Sequence, residues 1–206
     1  MAINEFDRIA PFYDALKRLV FGDAIRRSVR HGVQEVSEHA RVLVLGGGTG
    51  EILDDLFARC PDCEVWYVDP SARMIAKARA RCRSASVRFI RGTVDDVPAN
   101  LLFDIILTPF LLDLFSAESL KRLISALRLR LSAGGLWIVA DFIDSERLRH
   151  RVLLKMMYWF FRLVANVEAR CLADWRSLME ASGLREVRSA VFYDGFIVST
   201  VYQRSR

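Results

Sequence analysis

The stretch VLVLGGGTGEIL at residues 42–53 constrains the fold more than any other. Four apolar residues are followed by Gly46, Gly47, Gly48, Thr49 and Gly50, and Glu51 then opens an apolar periodic segment. A buried strand that ends in glycines and turns at once into a helix sets backbone N–H groups, and the positive end of a helix dipole, at the carboxyl edge of a sheet. Open α/β sheets bind ligands at that edge. Without side chains in the turn, a ligand can lie against the backbone. A phosphate loop would continue Gly-Lys-Ser or Gly-Lys-Thr, and a dinucleotide loop would read G-x-G-x-x-G. This loop reads G-x-G-x-G with Glu51 next. An acidic residue there repels a pyrophosphate, so the expected ligand lacks phosphates.

The rest of the chain supplies a sheet for this loop to sit on. Strand-length apolar runs at 41–45, 64–68, 86–90, 103–107 and 135–142 alternate with segments of helical period, two of them opened by Ser71 and Ser116. That alternation predicts a parallel sheet covered on both faces. The end of the chain, LREVRSAVFY, Asp194-Gly195, FIVSTVYQR, reads as two strands joined by an Asp-Gly turn. The expected fold is therefore α/β, doubly wound and Rossmann-like, with a mostly parallel seven-stranded sheet and a C-terminal antiparallel hairpin. The expected organisation is one domain: helical cover over 1–38 with breaks at Pro11 and Gly22, sheet core over 41–142, helical insertion over 145–182 and hairpin over 184–203.

Composition excludes more than it selects. With 52% hydrophobic residues the chain is not of the disordered class, and charges interrupt its apolar segments too often for a membrane span. The beginning, MAINEFDRIAPFYD, has no continuous apolar stretch of the secretory kind, so a cytoplasmic location is expected. A net charge of +5 permits attraction to phosphates, to an anionic membrane or to an acidic substrate, and chooses none of them. Cys60 and Cys63 form a C-x-x-C between a helix and a strand, without the further ligands a zinc site needs, and no metal is expected.

The second strand ends at Asp69, 19 residues after Gly50. A carboxylate at the tip of the strand beside a glycine loop can accept hydrogen bonds from both hydroxyls of a ribose. The alternative role, capping the next helix, falls better to Ser71, which an apolar periodic run follows directly.

In this order and spacing, IAPFYDAL, VLVLGGGTGEIL, YVDPSARMIAKAR, VRFIRGTVDDVP, FDIILTPF and LSAGGLWIVADF resemble the class I S-adenosylmethionine-dependent methyltransferases, in particular the ubiquinone and menaquinone biosynthesis group. The resemblance implies S-adenosylmethionine as donor, S-adenosylhomocysteine as product and no metal. It implies that Gly46, Gly48 and Gly50 cradle the methionine part, that Asp69 takes the ribose and that Met74 packs on adenine, with Thr93 and Val94 at its edge. Tyr13 would cover the cofactor and Thr108 would border it. Two departures stand out. Val44 occupies the position two before the first glycine, where the family commonly has an acidic residue. Thr93 stands where the family often has Asp, with Asp95 nearby as a substitute.

Methyl transfer needs an acceptor held in line with an already activated methyl group, and a base only where the nucleophile must lose a proton. Residues expected to line the acceptor are Phe12, Phe110, Phe142 and Trp159; candidate bases are His150, Asp113, Asp141 and Tyr158, although His150, beside its arginines, reads more readily as a surface residue. Thr108 replaces the amide or acidic residue that would accept from a target nitrogen, which argues against nucleic-acid or protein amide targets; the resemblance, together with the apolar insertion, implies a small, apolar or aromatic acceptor methylated at oxygen or carbon. The insertion SERLRHRVLLKMMYWFFRLVANV carries Arg147, Arg151, Lys155 and Arg162 along one stripe of an otherwise apolar helix. It reads either as a packed helix with a solvated basic edge or as a lid that also rests on a membrane surface. Two alternative functions stay open: a cofactor-binding protein without turnover, and an RNA methyltransferase suggested by Arg79, Arg81 and Arg83.

Overall fold

A computed structural model describes Asp7, residues 13–82, 84–165, Ala169 and residues 171–204; at 13 and 161–165 only the backbone is considered. The helices are α1 (Tyr13–Phe21), α2 (Ala24–Val33), α3 (Glu51–Arg59), α4 (Ala72–Arg81), α5 (Ala117–Arg130), α6 (Leu148–Ala165) and α7 (Trp175–Ala181). The strands are β1 (Arg41–Leu45), β2 (Glu64–Asp69), β3 (Val87–Arg91), β4 (Phe103–Pro109), β5 (Leu131–Phe142), β6 (Leu184–Phe192) and β7 (Ile197–Arg204). They form one seven-stranded sheet in the order β3-β2-β1-β4-β5-β7-β6. The first five strands run parallel, and β7 pairs antiparallel with both β5 and β6. The expected doubly wound sheet with a closing hairpin is the sheet observed.

Each face is closed by the apolar stripes the sequence carries. Val29, Val33, Leu53, Leu56, Ile75 and Ala78 of α2, α3 and α4 pack with Val42 and Val44 on one face. Leu120, Ile124, Leu127, Trp175 and Met179 of α5 and α7 pack with Leu43 and Ile106 on the other. Full burial of a side chain of this size stabilises by roughly 1.5–3 kcal/mol, so these two layers hold the sheet. Asp55 of α3, itself buried, accepts from Arg30 Nη2 at 2.8 Å and ties α2 to α3.

Three expectations shift at element ends. Helix α2 stops at Val33, so residues 34–38 are not helical as the sequence suggested. Strand β5 begins at Leu131, ahead of the expected 135: its register against β4 shifts, Phe103 pairing with Leu131 and Ile105 with Leu136, over a stretch that includes Gly134 at φ 76°. The Asp-Gly turn is a wider turn in which Tyr193, Asp194 and Gly195 all have positive φ, and the Tyr193 hydroxyl donates to Val20 O at 2.9 Å, fastening the hairpin to α1. Cys60 and Cys63 are buried in the core; burial pushes the Cys63 thiol up to about 12, the opposite of a reactive thiolate.

Candidate active site

The chain reverses direction across the sheet between β1 and β4, and the crevice at the carboxyl ends of these strands is where the glycine loop sits. Gly46, Gly48 and Gly50 have φ of 72°, 64° and 88°, the left-handed region that favours glycine. Space is equally restrictive. A Cβ on Gly47 would lie 2.4 Å from the Tyr67 ring, and one on Gly50 would lie 2.8 Å from Ala78 Cα. The loop is fastened to β2 from two sides. The Tyr67 hydroxyl donates to Gly48 O at 2.9 Å, and Gly48 N donates to Asp69 Oδ2 at 3.0 Å. Burial raises the Tyr67 pKa, which keeps its hydroxyl a donor. Tyr67 did not stand out in the sequence, since contact across strands leaves no local signature.

Asp69 sits at the tip of β2, 6% exposed, and Ser71 N donates to its Oδ1 at 2.9 Å. Burial pushes its carboxyl up to about 6, the neighbouring Asp7 adding to the shift and the two N–H donors opposing it. Ser71 caps α4, accepting from Met74 N at 3.1 Å, so the cap and the strand-tip carboxylate are separate residues. Met74 and Val94 are buried. Thr93 is the cap of a short 3-10 turn: Asp96 Oδ2 accepts from Thr93 N at 2.7 Å, while Asp95 is exposed. Val44 is wholly buried in the core and carries no polar contact to the loop.

The N-terminal cover reaches this loop through ion pairs and hydrogen bonds that periodicity does not reveal. Asp7 accepts from the Ser71 hydroxyl and from Arg73 N. Asp14 accepts from the Thr49 hydroxyl at 2.8 Å, and Lys17 Nζ lies 2.9 Å from Glu51. Phe12 lies outside the described residues, as does the Tyr13 side chain.

Lined by α1 and α6, and linked to the start of α3 through the Lys17–Glu51 pair, is a cavity of about 430 Å³. Phe110 and Phe142 form part of its wall, their rings packed edge to face at 5.1 Å, and Leu153, Met157 and Phe160 of α6 form another part. Trp159 lines it too while remaining 71% exposed. Thr108 is apart from this lining: wholly buried, its hydroxyl accepts from Trp137 Nε1 at 3.0 Å.

The four candidate bases separate clearly. Asp113 lines the cavity, with Asp141 beside it, and burial pushes both carboxyl groups up, Asp113 to about 7. The Tyr158 hydroxyl donates to Asp113 O at 3.3 Å, and burial raises its pKa, so it stays protonated. His150, expected at the surface beside its arginines, is instead buried: its ring stacks on Phe196 at 4.9 Å, and its Nδ1 is 2.8 Å from the Ser145 hydroxyl. Burial and the nearby Arg149 and Arg147 lower its pKa.

Residues 42–135 match the family of methyltransferase domains. A demethylmenaquinone methyltransferase of Thermus thermophilus is 32% identical over 142 residues, 66% of this chain and 64% of that one, so this chain spans less than two thirds of that relative. A protein of the same name from Roseiflexus is 26% identical over 81% of this chain and 69% of its own length. Among solved structures, the 1,6-didemethyltoxoflavin-N1-methyltransferase of Burkholderia thailandensis, with S-adenosylhomocysteine bound, superposes with a TM-score of 0.71 at 14% identity over 97% of this chain and 86% of that one, a likeness of fold. Over residues 42–135 the chain is thus similar to methyltransferase domains, its sequence is similar to demethylmenaquinone methyltransferases over about two thirds of its length, and its sheet shares the fold of solved methyltransferases.

Proposed function

We propose that this protein binds S-adenosylmethionine in the crevice above β1 and β2 and transfers its methyl group to a small, apolar or aromatic acceptor held in the cavity beside it, at oxygen or carbon. The observation that carries this reading is the juxtaposition itself: a glycine cradle that a Cβ would fill, a buried carboxylate at the next strand tip, and an apolar cavity whose lining residue Lys17 is paired to Glu51 at the start of α3. The donor set fits the cofactor: Gly46, Gly48 and Gly50 would hold the methionine end, Asp69 the ribose, and Met74 and Val94 the adenine. The bound sulfonium would supply an activated methyl group, leaving the protein to orient the acceptor and exclude water. The names of the curated relatives support an apolar acceptor.

Ribose hydroxyls donate to a carboxylate better than to a carboxylic acid. Calorimetric titration with S-adenosylhomocysteine should therefore show binding at pH 7.5 that weakens by about tenfold per pH unit below the Asp69 value of about 6. No binding by folded protein at pH 7.5 would remove the donor site and the reading with it.

We further propose that α6 rests on an anionic membrane surface. Leu148, Val152, Met156 and Trp159 recur at helical spacing and are exposed, from 48% to 77%. Arg147, Arg151 and Lys155, all exposed, run alongside them; Arg147 also lies 4.0 Å from Asp194. The Arg162 side chain lies outside the described residues. No helix among the described residues is long and apolar enough to cross a membrane, which leaves interfacial contact as the expected mode. Sedimentation with phosphatidylserine-containing vesicles should show binding that each of Arg151→Glu and Lys155→Glu weakens by about fivefold or more, at roughly 1 kcal/mol per basic residue. Binding unaffected by these changes or by salt would contradict it.

A further inference from the structure

The cavity is apolar on nearly every side, so a buried carboxyl group in its wall has few roles open to it. Asp113 is 4% exposed, and its Oδ1 has no hydrogen-bond partner. Asp141 lies within hydrogen-bonding reach of it and is otherwise committed: its Oδ2 accepts from Leu112 N at 2.8 Å and its Oδ1 from Phe142 N at 2.7 Å. Two carboxylates side by side in apolar surroundings cannot both stay ionised, because desolvation and mutual repulsion both favour taking up a proton. One proton held between them leaves a single negative charge on the pair.

Position and elimination carry the rest. Leu111, two residues before Asp113, lies against the glycine cradle: a Cβ on Gly46 would sit 2.8 Å from its Cδ1. Of the other polar groups near Asp113, Tyr158 is held protonated, and Lys17 across the cavity lies 3.2 Å from Asp14 and 2.9 Å from Glu51. His150 is absent from the cavity lining.

We propose that Asp113, with Asp141 as its positioning partner, is the catalytic base that takes the proton from a hydroxyl of the acceptor, and that the acceptor is accordingly an apolar ring of the phenol class. This rests on the methyltransferase reading. The acceptor O–H bond breaks and its proton passes to Asp113. The acceptor oxygen forms the new O–CH₃ bond as the methyl carbon separates from sulfur, whose bonding pair stays on sulfur. The pair goes from one negative charge to neutral, the sulfonium from positive to neutral, and the extra proton leaves to water with the product.

The test compares 2-naphthol with 2-methoxynaphthalene, the same ring with its hydroxyl blocked, by calorimetry on the full chain saturated with S-adenosylhomocysteine. At pH 8 the wild type should prefer the naphthol by tenfold or more. Asp113→Asn should abolish that preference while keeping its affinity for the ether and for S-adenosylhomocysteine. The wild type alone gives a second readout that no folding defect can mimic: the preference should grow from pH 6 to pH 8 as the pair loses its second proton. Equal binding of both probes, a pH-independent preference, one that survives Asp113→Asn, or binding of neither probe overturns the inference. Failure to bind S-adenosylhomocysteine at all would instead overturn the reading beneath it.

Discussion

Replacing Asp69 by alanine is expected to raise the Kd for S-adenosylhomocysteine by at least tenfold, ~1.4 kcal/mol or more. A hydrogen bond to a charged group contributes roughly 1.5–3 kcal/mol, and the proposed ribose contact has two. The same carboxylate also accepts from Gly48 N at 3.0 Å and from Ser71 N at 2.9 Å, so its removal loosens the cradle as well as the ribose seat. Asp69→Asn separates the two effects. It keeps the shape but lacks the charge, and should retain the thermal stability of wild type better than alanine while still losing affinity. Titration of the three proteins at pH 7.5 measures this. Wild-type affinity in the alanine variant would show that Asp69 serves the loop alone.

Gly47→Ala carries the second large effect. The added Cβ would sit 2.4 Å from both Cζ and the hydroxyl oxygen of Tyr67. That ring cannot retreat: it is wholly buried, packs on Phe89 at 5.4 Å between centroids, and holds Gly48 O. Overpacking of this kind costs about 1–3 kcal/mol, which lowers the Tm of a domain this size by roughly 2–4 °C per kcal/mol. Because the displaced segment is the cradle, affinity for S-adenosylhomocysteine should fall in the same variant. Combined with Tyr67→Leu, which removes the colliding atoms, the alanine should cost less than it does alone, a non-additivity expected for residues in contact. A Gly47→Ala protein that melts and binds like wild type would mean that the cradle yields freely at this point.

Thr93 and Val44, the two departures from the family pattern, are both engaged within the fold. Thr93 is occupied in capping its own turn, and Asp96 serves the same cap. Asp95 is exposed and uncommitted to that cap's backbone donor. Val44 packs in the core and leaves the loop to be fastened by Tyr67 and Asp69 from the neighbouring strand. Of the three arginines behind the RNA alternative, Arg81 pairs with Asp54 at 3.0 Å and Arg79 lies over the Phe89 ring, while Arg83 falls outside the described residues.

By itself the sequence determined what depends on near neighbours along the chain. Strand and helix order follow from hydrophobic period, the caps Ser71 and Ser116 from their place before apolar runs, and the glycine loop and Asp69 from a strand-to-helix junction and a fixed strand tip. Only the tertiary structure decided what depends on residues far apart in sequence. It brought Tyr67 under Gly48, Lys17 to Glu51, and Asp113 beside Asp141 across two adjacent strands' ends. It buried His150 among rings contributed by the hairpin, where the local run of arginines had suggested solvent. The physical reason is range: periodicity and capping act over one or two turns, whereas burial, and the proton affinities it shifts, are set by whichever distant segments close over a residue.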